Sequence, residues 1–485
     1  NVAIGFETLS TDTQGSRSVA IGTSALKNQN FSSATNAYNV CIGYEAGNDI
    51  TTGQQNTLIG GLAGDKLTDA DYNVVMGLNA LGADTKGSRS TAVGYSTLNA
   101  QNFTSATNSD NSAFGYTAGQ SITTGIQNVL IGTSAGPNLT DADYNTAVGK
   151  SALATDTKGS NSTAIGNGAL NTQNFTSATA TQNVAVGNSA GYAVTTGIQN
   201  TLIGHSAGDA LTDADYNTAF GFNALTADTR GSTSTAIGYQ ALLAQNFTSA
   251  TDSKNVAVGH NCGTQVSTGT LNTFMGFSAG SSNTTGYDNI CIGRDSGVST
   301  ANNGNALITG YRNILIGNEG SLSATDGIHQ ITLGSHITGA NSSFTFGNGG
   351  TDSRISVGAT SITAPSDERY KEEITTSTAG LSFINDLRPV TFKWKKEKDI
   401  PTDHNSYVEG SDKRVMEKGE KINHGFIAQE VKAVIDNHSE IKDGFDMWQS
   451  DPNDGRQRLA PSELIPMLVK AIQELSAKVT ALEGE

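Results

Sequence analysis

Charge is scarce over most of this chain. Only 15% of its 485 residues are charged, and residues 1–350 hold 11 Lys/Arg and 21 Asp/Glu against 18 and 24 in residues 351–485. With a net charge of −16 and no basic patch, the chain has little with which to neutralise phosphates, which excludes nucleic acid as a partner. No apolar run approaches the roughly 18 residues that span a bilayer, so insertion into a membrane is not expected. Cysteine is limited to Cys41, Cys262 and Cys291. Cys41 and Cys291 fill the same place in "NVCIG" and "NICIG", where Ala or Leu usually stands. They read as small core residues rather than a disulfide framework or a metal site. Histidine is sparse over the first 350 residues, at four, and the carboxylates there recur as periodic turn residues. A glycan hydrolase needs two carboxylates about 5–10 Å apart in a cleft, and nothing in the pattern points to such a pair. No signal peptide is visible, but the chain opens in mid-repeat with "NVAIG", so that absence carries no weight.

Glycine, by contrast, is abundant at 56 residues, alongside Asn, Thr and Ser, while hydrophobics reach only 36%. Such a composition suits either disorder or a repetitive β-structure. Periodicity decides between them. A short apolar unit closed by Gly recurs as "NVAIG", "SVAIG", "NTLIG" and "STAVG", with closing glycines at Gly5, Gly22, Gly43, Gly60 and Gly77. The spacings are 17, 21, 17 and 17, and this 72-residue super-repeat runs four times to Gly293. Later units at Gly317, Gly334 and Gly347 are spaced 24, 17 and 13, as terminal coils adapt to a neighbour.

Each unit predicts one coil of a parallel β-solenoid. The β-branched run is a short strand, and the Gly permits the bend that follows. A coil this poor in large side chains has no core alone, but stacked coils at roughly 4.8 Å share one. The units resemble the head repeats of trimeric autotransporter adhesins, with their recurrent "SVAIG" or "NTAIG". That resemblance implies a left-handed parallel β-roll of three chains, with the residues beyond the family's shorter unit placed in loops.

Two loop motifs recur once per super-repeat. "QNFTSAT", or "QNFSSAT" in its first copy, places Phe31, Phe103, Phe175 and Phe247 in one line. These are candidates for ligand contact or for stapling the loop to a neighbouring subunit, the second being the expectation. "LTDADYN" supplies Asp69/Asp71, Asp141/Asp143 and Asp213/Asp215. Asp-x-Asp loops can hold Ca²⁺ if other oxygens converge, and these six are weak candidates. Asp also closes turns through the backbone, which is the preferred reading. No cofactor is expected. The "NFT" and "NFS" triplets match glycosylation acceptors, a reading that needs a eukaryotic secretory context.

Composition breaks near residue 350, at "TAPSDERYKEEI". Residues 1–350 are read as the shaft, 351–365 as a linker and 366–485 as a small α+β domain. In that domain "LSFINDLRPVTFKWKKE" reads as a helix running into a strand at the Pro, and "HGFIAQEVKAVI" as a strand or turn leading into a helix. A terminal helix over 460–483 carries Ile465, Leu468, Ile472, Leu475, Val479 and Leu482 at spacings of 3, 4, 3, 4 and 3. That heptad seam predicts a coiled coil and is compatible with a trimer.

"SDERYK", "LRPVTFKW", "HGFIAQEV" and "LAPSELIPMLVKAIQEL", in this order, resemble the endosialidase-type intramolecular chaperone domain. The resemblance implies a trimeric domain that assembles the preceding β-fibre and then releases itself by autoproteolysis. It puts the nucleophile at Ser366 and its base at Lys371, with Asp367 and Arg369 as possible orienting residues. Tyr370 departs from the Leu common in the family, a hydrophobic exchange. The chemistry is coherent, because a Ser hydroxyl needs a base and a Lys can serve. The resulting expectation is a homotrimeric tail-fibre protein of a phage virion. Its partners would be copies of itself, other tail or baseplate proteins and a bacterial surface receptor, either a glycan or an outer-membrane component. The alternatives are a bacterial cell-surface trimeric adhesin with the same chaperone, disfavoured because no barrel anchor follows the repeats, and a glycan-degrading fibre.

Overall fold

The computed structural model describes residues 1–298, 304–349, 351–359, 362–363, 366, 368–402, 404, 406–416, 420–442, 445–450 and 456–484. The chain divides into two compact units, Asn1–Pro365 and Ser366–Glu485.

The first unit is a parallel β-solenoid of about twenty coils, set by one repeated register. Each apolar triplet pairs with the triplet of the next coil, centre to centre: Ala20 with Cys41, Cys41 with Leu58, Leu58 with Val75. Among the described residues the sheet holds 21 strands, of which the last, Ser353–Ser356, runs antiparallel to Ser343–Asn348. Part of the stretch expected to be a linker is therefore sheet, and Arg354 and Thr363 exchange two backbone hydrogen bonds of 2.7 Å. The unit of 21 residues keeps the same centre-to-centre register, Ala92 with Ala113, so its additional residues leave the ladder as a loop. A small second pairing, Gly87–Ser88 with Thr107–Asn108, holds the base of that loop.

Alternation within each triplet separates inside from outside. The central residue is buried and its two neighbours face outward, as a pleated strand requires. Coils cannot approach each other this closely with a side chain at the closing position. At Gly94, with φ +138°, a Cβ would lie 2.2 Å from the carbonyl oxygen of Gly115.

Core volume is balanced between positions. Where the strand centre is large, as at Leu130, the turns beside it carry Gly119 and Gly136, whose missing Cβ atoms leave room for the Leu130 methyls. Where the centre is Ala92 or Ala164, the turn carries the buried Leu98 or Leu170. Cys41, Cys262 and Cys291 are all fully buried and unpaired.

The Asn that opens most units forms a ladder through the core. Asn56 donates through Nδ2 to the Ala70 carbonyl at 2.7 Å, and its Oδ1 accepts the Asn73 amide at 3.0 Å. The same bonds repeat at Asn73, with Gly87 O and the Ser90 amide. Buried polar groups are thus paired from coil to coil, as burial demands.

The second unit is a small α+β fold. Helix α1 spans Leu381–Asp386, α2 Ala428–Asn437 and α3 Ile465–Glu483, and a short 3-10 turn at Pro461–Leu464 precedes α3. Val390–Phe392 pairs antiparallel with Asn423–Gly425, and Trp448–Ser450 with Gln457–Leu459. The chain stops helix α1 just before Pro389, at Leu387 in extended conformation. Phe383, Val431, Ile435, Met447 and Leu464 form the core. Helix α3 is tied to α1 where the Leu381 amide donates to Glu474 Oε2 at 2.9 Å. The heptad residues of α3 all remain exposed in a single chain, from 43% at Leu468 to 74% at Leu482.

Candidate functional site

Ser366 opens the second unit, and a 3-10 turn at Glu368–Tyr370 follows it at once. That turn folds the backbone back so that the Lys371 amide donates to the Glu368 carbonyl at 3.0 Å. One consequence is that the Lys371 side chain returns to Ser366, where Nζ donates to Oγ at 2.8 Å. A Ser hydroxyl and a Lys amine in this contact have the spacing of a nucleophile and its base. Both residues are exposed in a single chain.

Arg369 lies on the 3-10 turn, exposed, between the two residues of the pair. Asp367 falls outside the described residues. A surface cleft elsewhere in this unit, lined by Phe392, Trp394, His404, Met416 and Ile427, includes neither Ser366 nor Lys371.

Comparison with known families bears on this unit. Residues 366–440 match the chaperone of endosialidase. The match opens on Ser366 and takes in the chaperone motifs "SDERYK", "LRPVTFKW" and "HGFIAQEV", while α3 lies beyond it. A chaperone-of-endosialidase segment behind a long β-solenoid fits a tail fibre with an endosialidase-type chaperone domain. Neither a curated protein nor a solved structure matches the chain.

A second polar cluster in the chaperone domain had no sequence signal, because Asp386 lies 52 residues from His438. His438 is nearly buried and sits between two carboxylates, Nδ1 at 2.9 Å from Glu440 Oε1 and Nε2 at 2.9 Å from Asp386 Oδ2. Hydrogen bonds to Glu440 and Asp386 raise the imidazole above its ordinary value, and the bond to His438 lowers Glu440. The edge-on ring of Phe383 completes the surroundings. This cluster joins the end of α1 to the end of α2, a structural role.

In the solenoid the Phe motif departs from expectation, whereas the Asp motif follows its preferred reading as a turn. Phe31, Phe103, Phe175 and Phe247 are buried against their own chain, at 5–8% exposure. They point into the coil, and a Cβ at Gly87 would lie 2.8 Å from the Phe103 ring. This corrects both loop readings, since rings packed in their own coil neither face a ligand nor staple a neighbour. The loops are held by a buried carboxylate that the sequence reading passed over. Asp84 Oδ1 accepts the amides of Gly87 and Phe103, while Oδ2 accepts Gln101 Nε2 at 2.6 Å. Asp156 and Asp228 repeat the arrangement with Gln173 and Gln245.

Asp71, Asp143 and Asp215 each accept a backbone amide of the preceding coil, from Gln54, Ile126 and Ile198 at 2.7–2.8 Å. Asp69, Asp141 and Asp213 accept the neighbouring Thr hydroxyl at 3.0 Å. Lys158 and Arg230 lie beside Asp141 and Asp213. The pairs serve turns and surface ion pairs. Among the described residues no three His, Cys, Asp or Glu converge as a metal site.

Proposed function

We propose that this chain is the subunit of a homotrimeric phage tail fibre that attaches to the bacterial surface. Its C-terminal domain acts as an intramolecular chaperone for trimerisation and cuts itself free at Ser366. The carrying observation is the chaperone-of-endosialidase match placed directly behind some twenty near-identical coils. Such coils invite a slip between chains, and parallel β-structure forms slowly with edges that aggregate. A domain that fixes chain number first answers that problem, and its later removal leaves a fibre protected by slow unfolding. The exposed heptad seam of α3 and the outward apolar residues of the solenoid support assembly with further copies. The Nζ–Oγ contact of 2.8 Å supports a Ser–Lys autoprotease. Exposure of both residues in one chain couples cutting to assembly, since neighbouring copies would then supply the dry surroundings. The bacterial receptor is a glycan or an outer-membrane component, and the fibre's place is the virion tail.

The test is expression of the parent beside Ser366→Ala and Lys371→Ala. Denaturing electrophoresis should release a C-terminal piece of about 120 residues only from the parent, and light scattering should give three chains per particle. Identical behaviour of all three proteins would remove the protease, and a single-chain mass would remove the trimer.

A further inference from the structure

The large apolar side chains that the solenoid exposes are not scattered. With few exceptions they fall in one short stretch of each coil, from the residue before the opening Asn to the residue after the closing Gly. Tyr72, Val74, Met76 and Leu78 show the pattern within a single coil, all 41–50% exposed. One wall of the solenoid therefore gathers the exposed apolar side chains, interrupted by polar positions such as Arg89, Asp110, Lys150 and Lys254. Exposed apolar side chains gathered on one wall mark a covered surface.

Only one kind of partner fits it. The outward residues recur once per coil, at the strand spacing of the ladder. A globular protein would meet this period at a few coils, whereas another solenoid of the same pitch meets it at all of them. The occupant with that pitch is a second copy of this chain, lying parallel.

The position just after the closing Gly breaks the 72-residue repeat. In the third super-repeat it is Lys150, Asn167, Asn188 and His205; in the fourth it is Phe222, Tyr239, His260 and Phe277. His205 and these last four rings form one continuous stack, with centroids 4.8–5.4 Å apart and planes within 18°. Inside the coil, by contrast, the super-repeats are almost interchangeable: Ala92, Ala164 and Ala236, or Gln101, Gln173 and Gln245.

We infer that the ring stack His205–Phe222–Tyr239–His260–Phe277 packs against the same stack of neighbouring copies and sets the register between chains. The inference rests on the multi-chain reading above and adds its face and its key. In register, rings meet rings. A slip of 72 residues sets Phe222, Tyr239 and His260 against Lys150, Asn167 and Asn188, burying a Lys and two amides against the positive edges of stacked rings, which is unfavourable without partners.

Hydroxyl-radical footprinting of the assembled full chain tests the face. Phe222, Tyr239 and Phe277 should lose labelling on assembly, while Tyr192, exposed at 45% outside this stretch of its coil, keeps it. Labelling of the stack equal to that of Tyr192 in a multimer would overturn the inference and leave the multimer standing; a single-chain mass would overturn both. A second arm tests the key. The stack is replaced by the residues of the preceding super-repeat through Phe222→Lys, Tyr239→Asn, His260→Asn and Phe277→His. Chains carrying Gln182→Cys are then co-assembled with chains carrying Lys254→Cys and treated with a short thiol cross-linker. These positions are exposed and one super-repeat apart, and the native thiols are buried. A cross-link between the two kinds of chain should appear with the replaced stack and not with the native one. Cross-links only between like chains in both backgrounds would refute the key.

Discussion

The carboxamide oxygen of Asn128 accepts the backbone amide of Asn145, one coil further along, at 2.9 Å. The Asn128 Nδ2 group donates at once to Asn111 Oδ1 at 3.2 Å and to the Ala142 carbonyl at 2.8 Å. A single side chain thereby ties together three successive coils, and it is fully buried. Asn128→Ala leaves the Asn145 amide and the Ala142 carbonyl without partners, a cost of roughly 1–3 kcal/mol. Because a long array opens locally, the loss should appear as faster amide hydrogen exchange in the coils around residues 111–145 rather than across the whole unit. Asn138→Ala, which loses only an exposed bond to the Ala154 carbonyl, should change exchange far less.

The Asp84 carboxylate does for the loop what Asn128 does for the ladder. It is fully buried and accepts the Gly87 amide, the Phe103 amide and Gln101 Nε2. Asp84→Ala removes all three acceptor contacts and should release the "QNFTSAT" loop together with the turn at Lys86. Limited digestion with trypsin should then cut after Lys86, where the parent resists. Asp141→Ala, which loses a neighbouring Thr contact and a surface ion pair, should digest like the parent.

How much of this was legible beforehand differs by element. Coil number, strand position and the closing Gly follow from repetition, since Gly94 and its equivalents are the only residue type the coil-to-coil approach admits. The helix, the strand and the break at Pro389 follow from local chemistry. The inward Phe103 was not legible: its ring enters the coil because Gly87 makes room and Asp84 holds its amide, two residues contributed by the preceding coil. Left-handed turns were legible only at glycine, yet Arg89, Ser96 and Leu98 also adopt φ of 49–62°. Coil geometry imposes that conformation on them, and no local propensity announces it. The contact between Ser366 and Lys371 depends on the 3-10 turn at Glu368–Tyr370, whereas a spacing of five residues is common by chance.

Burial governs the thiols. It pushes Cys262 up to about 12 and the fully enclosed Cys41 and Cys291 higher still. As the thiolate is the nucleophile, none of the three should alkylate in the folded chain near pH 8. Mass spectrometry after iodoacetamide should find no adduct on the native protein and three after denaturation. An adduct on native Cys41 would mean that the first coils open.

The cluster at His438 makes the chaperone domain sensitive to pH in a definite direction. Its imidazole is raised above the ordinary value of 6.5 by hydrogen bonds to Glu440 and Asp386. A raised value in the folded state means that the folded form binds the proton more tightly than the unfolded one. The stabilisation is therefore complete below the ordinary value and is lost as pH climbs from there through the raised value. Both tryptophans, Trp394 and Trp448, lie in this unit, so their fluorescence reports its unfolding within the full chain. The denaturant midpoint should fall as pH rises from near 6 through the raised value of His438, and the fall should flatten in His438→Gln. An equal fall in parent and variant would place the titrating group elsewhere. Asp386→Asn, which leaves the Glu440 contact in place, should retain part of the pH dependence, because the larger contribution comes from Glu440.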